Sequence, residues 1–205
     1  MTAILKVDTI QDTAGNNIIN ESSNTITIGA SGDTISIPSG ATITNSGTAN
    51  NFGGGKINQV VQGFLNTSAT ISANSFQPTG LTLNITPSAS SSKIYLMATV
   101  SLGISTADYN QGLAFFRDST QIGSADDDSA RQGVQSMTRG LNTSGYPNSS
   151  LVFLDAPSST SQITYTVKLF GESGATHYIN RLGDNSDQAH KFRTASSIVA
   201  MEVLA

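Results

Sequence analysis

The segment NTITIGASGDTISIPSGATITNSG, Asn24 to Gly47, places the tightest limit on what this chain can fold into. Thr25-Ile26-Thr27-Ile28, Thr34-Ile35-Ser36-Ile37 and Thr42-Ile43-Thr44 alternate a hydroxyl residue with an apolar one. Alternation of period two marks strands with unlike faces. Gly29, Gly32, Gly40 and Gly47 punctuate the strands, which restart about every nine residues, a repeat with no globular core of its own. A buried Ile contributes roughly 1.5–3 kcal/mol, but two-stranded pieces are marginal alone in water. Three copies wound about one axis resolve the conflict. Ile26, Ile28, Ile35, Ile37 and Ile43 would then point to the axis, Thr and Ser to water, and strand edges would pair between chains. The alternative is a small β-meander packed on the rest of its own chain.

The pattern divides the chain into four pieces. Residues 1–21 hold short β-prone stretches broken by the turn signal Gly15-Asn16-Asn17, read either as a hairpin or as an attachment segment. Residues 22–47 are the repetitive shaft. Residues 48–56, with Gly53-Gly54-Gly55, read as a linker. Residues 57–205 carry strand signals at Ile57–Leu65, Thr79–Ile85, Lys93–Leu102, Gly112–Gly123, Gly133–Leu141, Ser150–Asp155, Gln162–Phe170, Thr176–Arg181 and Ala195–Leu204, and no amphipathic helical pattern. The expected fold is all-β: a short trimeric β shaft followed by a jelly-roll-like β-sandwich head. Lys93–Leu102 and Ile198–Leu204 are apolar on both faces, so each needs two covers: the facing sheet and, on the other side, a neighbouring subunit.

Composition narrows the partners. Only 12% of residues are charged and the net charge is −4, so Ser, Thr, Asn and Gly must solvate the surface. Arg117, Arg131, Arg139, Arg181 and Arg193 are scattered, which argues against binding nucleic acid through its phosphates. There is no Cys, which excludes disulfide scaffolds and Cys-based zinc sites. Lys6 and Asp8 stand where a signal peptide needs an apolar run, and no stretch reads as a membrane span. Release by lysis, as part of a virus particle, fits a protein that works outside a cell without that leader.

Chemical motifs are few. GESGA, Gly171 to Ala175, resembles a nucleophile elbow around Ser173, but the following THYINR reads as strand rather than helix, so a hairpin turn is the expectation. Asp126-Asp127-Asp128 lacks the spaced oxygens of a calcium loop. No catalytic residue, metal ligand or cofactor is expected. Loop residues that could recognise a sugar are Tyr109, Tyr146, His177, Tyr178, Arg181 and Asp184, because aromatic faces stack on sugar rings while acids and Arg bond hydroxyls in pairs. The same residues would equally suit a hydrated loop with one buried Tyr.

ILKVDTIQDTAGNNIINESSNTITIGASGDTISIPSGATI at one end and YINR…RTASSIVAMEV at the other resemble tail-fiber-like structural proteins of bacteriophages, especially phages of marine bacteria and cyanobacteria. The resemblance implies a virion component whose N-terminal part attaches to the particle, with a trimeric β-rich head that meets the host surface. Host surface polysaccharide is the expected partner, and three heads on one shaft would gain avidity. A decoration or adaptor protein that reads no receptor is the alternative. A polysaccharide-cleaving enzyme would need paired carboxyl groups, and nothing in the sequence pairs Asp108, Asp126, Asp155, Glu172 or Asp184.

Overall fold

The structure is a computed structural model that describes residues 9–11, 13–14, 17–23, 25–29, 31–42, 44, 46, 56–72, 74–145 and 147–204. The chain forms two compact units, divided between Phe52 and Gly53. In the first, β1 (Thr9–Gln11), β2 (Asn17–Ser22) and β3 (Thr25–Ile28) form an antiparallel sheet in chain order. This sheet runs across the boundary expected at residue 21. Of the Thr-Ile segments, Thr25–Ile28 is a strand and residues 34–37 follow no regular structure, while Ile43 and the Gly53–Gly55 run lie outside the described residues.

The second unit is built from β4 (Ile57–Leu65), β5 (Ala69–Ile71), β6 (Gln77–Ile85), β7 (Lys93–Ile104), β8 (Asn110–Arg117), β9 (Thr120–Ile122), β10 (Ser136–Arg139), β11 (Asn148–Asp155), β12 (Ile163–Gly171), β13 (His177–Ile179) and β14 (Ser196–Val203). The long β7 organises one sheet. Along most of its length it lies between β11 and β14. Near its end Ser101 accepts a bond from Asn180 while Leu102 donates to Pro147, so β13 continues the β14 edge and not the β11 edge. Further out, β4 pairs with β14 and β5 with β13. In the other sheet β12 covers one edge of β8, and β9 and β10 share the opposite edge end to end, with β6 beyond β12. With each in-line pair taken as one strand, the first sheet runs β4/β5, β13/β14, β7, β11. The second runs β6, β12, β8, β9/β10. This interleaving of two antiparallel sheets by successive crossings is the jelly roll.

Alternation supplies the core between the sheets. Ile94, Leu96, Ala98 and Val100 of β7 and Ile198 and Ala200 of β14 face Leu81, Leu83 and Ile85 of β6, Leu113 and Phe115 of β8, and Ile163, Tyr165, Val167 and Leu169 of β12, all buried. Tyr165 is the largest of these side chains, and its hydroxyl donates to Asp155 Oδ2 at 2.5 Å. Asp155 Oδ1 also receives Arg117 Nη1 at 2.8 Å, which ties β12, β11 and β8 together. Burial and the Asp155 carboxylate together hold the phenol far above its ordinary pKa, so it stays a donor. A second buried carboxylate, Glu202 on β14, receives Asn58 Nδ2 at 2.9 Å, Gln59 Nε2 at 2.7 Å and the Ser88 amide and hydroxyl at 2.6 Å. Burial alone would raise its pKa, but the donors from Asn58, Ser88 and Gln59 outweigh it and hold the group ionised.

Several strands are shorter than alternation implies, and backbone conformation is the reason. Gly112–Gly123 breaks into β8 and β9 because Asp118 turns through a positive φ of 53°, with its side chain accepting from the Thr164 amide at 3.0 Å. Thr176–Arg181 shrinks to β13 because Asn180 takes φ 59° and spends its amide on the Leu65 and Thr67 carbonyls. Gly133–Leu141 contracts to β10, and β5 arises where no strand was expected.

Replacing Tyr165 by Phe keeps the shape and removes only the bond to Asp155. We expect unfolding stability to fall by roughly 1.5–3 kcal/mol, the range for a hydrogen bond to a charged group. Urea denaturation should give a lower midpoint at unchanged slope.

Candidate functional site

The outer face of the β6–β12–β8–β10 sheet carries an open groove of about 690 Å³, within the size range of small-ligand pockets. Its apolar floor comes from alternation. Phe170 on β12 points away from the core, and Phe76, just before β6, meets it edge to face with ring centroids 5.5 Å apart. Phe76 makes the same kind of contact with Phe116 at 5.3 Å, and Lys168 Nζ lies 4.0 Å from the centre of the Phe116 ring. Val134 and Met137 continue the floor, and Met137 is 64% exposed. Asn74, Asn110, Gln132, Arg131 and Glu172 supply polar groups. Glu172 Oε2 accepts from the Asn110 amide at 2.8 Å and its side chain at 2.9 Å, which fixes the carboxylate at the groove. Arg131 pairs with Asp128 at 2.6 Å, and Asp127 accepts from the Gly133 amide at 2.7 Å, so the run of Asp residues organises this loop. An aromatic floor beside fixed amides, a carboxylate and a guanidinium can stack an apolar sugar face and bond its hydroxyls in pairs.

Of the residues singled out from the sequence, those described lie outside the groove lining, and the structure brings only Tyr178 and Arg181 among them into contact. Tyr109 is half-buried next to Asn110, with its ring against Gly174, where φ is +104° and an added Cβ would lie 2.7 Å from the phenol. Tyr178 carries the Arg181 guanidinium 3.6 Å above its ring. Asp184 pairs with Lys191 at 2.7 Å. The bond from Lys191, then those from Ser186, hold its carboxyl well below the usual range. Tyr146 lies outside the described residues. His177 is fully buried, so it reaches no ligand at the surface. Its Nε2 lies 3.0 Å from the Glu172 carbonyl, its Nδ1 has no partner among the described residues, and a Cβ at Gly171 would collide with the imidazole. The GESGA turn is not a hairpin within one sheet, because it carries the chain from β12 in one sheet to β13 in the other. Phe76 and Phe170 escaped notice because a lone Phe at an outward strand position looks like any surface residue until the fold sets two of them together.

Burial pushes the His177 imidazole below its ordinary value of 6.5, while the Glu172 carbonyl and carboxylate act the other way. The unfolded chain therefore takes up a proton near pH 6.5 that the folded chain refuses. Stability is whole above that pH and declines as pH falls towards the lower folded value. Melting temperatures followed between about pH 7 and pH 5 should show this decline, and His177→Gln should flatten it.

No protein-family model matches the sequence, and a search of curated proteins gives no match. Among solved structures the fold is similar to one in the structure of infectious bursal disease virus Gt strain, with a TM-score of 0.41 and 13% identity. The match covers 72% of this chain and 38% of that one.

Proposed function

We propose that the protein is a homotrimeric bacteriophage virion fiber, attached to the particle through its N-terminal segment, whose jelly-roll head adheres to a host surface polysaccharide. The observation that carries this reading is the isoleucine face of the first unit. Ile10, Ile19 and Ile28 stand in one cross-strand row, and Ile26 shares their face. They are 40%, 37%, 55% and 67% exposed, and Ile35 and Ile37 are exposed downstream. Identical copies meeting on an axis would bury what the described residues of one chain leave open. Virion placement draws on the resemblance of both chain ends to tail-fiber-like proteins. Adhesion is assigned to the groove floored by Phe76 and Phe170. Weak binding at one such groove becomes useful when three are linked.

Ile28→Asp tests the shared axis. At an exposed position the change costs a single chain little, but in a trimer it gathers three carboxylates in a desolvated place. Sedimentation velocity should give a species smaller than the wild-type one, while the head still melts cooperatively. Adhesion is tested on an array of bacterial surface polysaccharides. Phe76→Ala should weaken binding about tenfold, as expected for losing an aromatic contact of about 1.4 kcal/mol.

The adaptor reading, a virion protein that contacts only other virion proteins, draws on one observation: Arg131 and Glu172 already have partners within the chain. Absence of binding across the array by a correctly assembled protein would favour it.

A further inference from the structure

The groove occupies one outer face of the sandwich, and the opposite outer face differs in kind. Register aligns Val60, Met201, Tyr95 and Leu154 across β4, β14, β7 and β11. The next outward row is Gln62, Val199, Met97 and Val152, and the third is Phe64, Ser197, Thr99 and Ser150. Val60, Phe64, Val152 and Leu154 are 59%, 64%, 51% and 48% exposed, and Tyr95, Met97, Val199 and Met201 are half-buried between them. No charged residue occurs in these rows, and Lys93 borders them at one end, paired with Val203.

We infer that this face is where the heads of one assembly pack on one another. The occupant is a second copy for two reasons. The chain carries a net charge of −4, so copies repel except through a surface without carboxylates, and this face has none. The second reason is covalent. β4, which supplies Val60 and Phe64, is the next strand after β3, and the 29 residues from Ile28 to Ile57 reach at most about 100 Å when fully extended. Copies joined through their isoleucine faces therefore hold their β4 strands at a raised local concentration, since a flexible tether of this length spans about 30 Å on average. Strand spacing and rise make the face on the order of 400 Å². A free-standing interface needs about 800 Å² per partner. The face is thus too small to join free heads and large enough to seat tethered ones. The inference rests on the shared N-terminal axis proposed above.

Methionine oxidation tests it on the unmodified chain, since sulfoxide formation follows exposure. Met97 and Met201 lie on the face, and Met137, in the groove of the other sheet, is the internal control. Dilute peroxide with peptide mass spectrometry gives a rate for each. Rates are compared above and below the concentration of assembly, or with Ile28→Asp as the unassembled reference. Met97 and Met201 should slow several-fold on assembly while Met137 holds its rate. Phe64→Glu, at an exposed position, should restore the fast rates within an assembled protein. If assembly leaves all three rates unchanged, the face is open and the inference falls, while the shared axis stands. If the wild-type chain never assembles, both fall.

Discussion

The layer between the two sheets, where Ile94, Leu96 and Val100 meet Tyr165, Val167 and Phe115, orients everything else in the head. A strand sends alternate side chains to opposite faces, so committing one set to this layer also fixes which residues point outwards. Phe170 lies in the groove because Leu169 is in the core, and Met97 lies on the opposite face because Leu96 and Ala98 are buried. A slip of one residue in β12 or β7 would exchange the core for the surface. The Tyr165–Asp155–Arg117 group guards against such slips, because its hydrogen bonds hold only in one register across β12, β11 and β8.

This coupling explains what could be read from the sequence. Ile57–Leu65 is a strand over the same residues, and Lys93–Leu102 and Ala195–Leu204 are strands within two residues at either end, since alternation is a local signal. The break at Asp118 carried a signal in the turn-prone Asp118-Ser119-Thr120, but the apolar runs on either side outweighed it. The jelly-roll arrangement was legible as a class, from many short strands without helices, but its pairings join residues far apart in the chain and have no local trace. The isoleucine row was partly legible. Ile26 and Ile28 stand out by their spacing, whereas Ile10 and Ile19 join the row only through the pairing of β1 and β2. The groove was not legible, for it sets Phe170 and Glu172 beside Phe76 and Met137, which come from distant segments. Conversely, sequence proximity drew His177 into a loop cluster from which burial removes it.

The molecule therefore presents three surfaces of two kinds. The isoleucine face of the first unit and the uncharged rows of one head sheet are apolar and suited to copies of the same chain. The groove on the other sheet combines aromatic and polar groups and suits a ligand from outside. The proposed fiber role would use this division between what holds copies together and what they offer to a host. The low charge of the chain suits it too, because few carboxylates have to be kept away from the apolar faces.

The central claim is that the unburied isoleucines belong to a core shared between chains. Light scattering coupled to size exclusion measures it most directly. The account predicts a mass three times that of the 21.3 kDa chain. A mass equal to one chain across the accessible concentration range would contradict it.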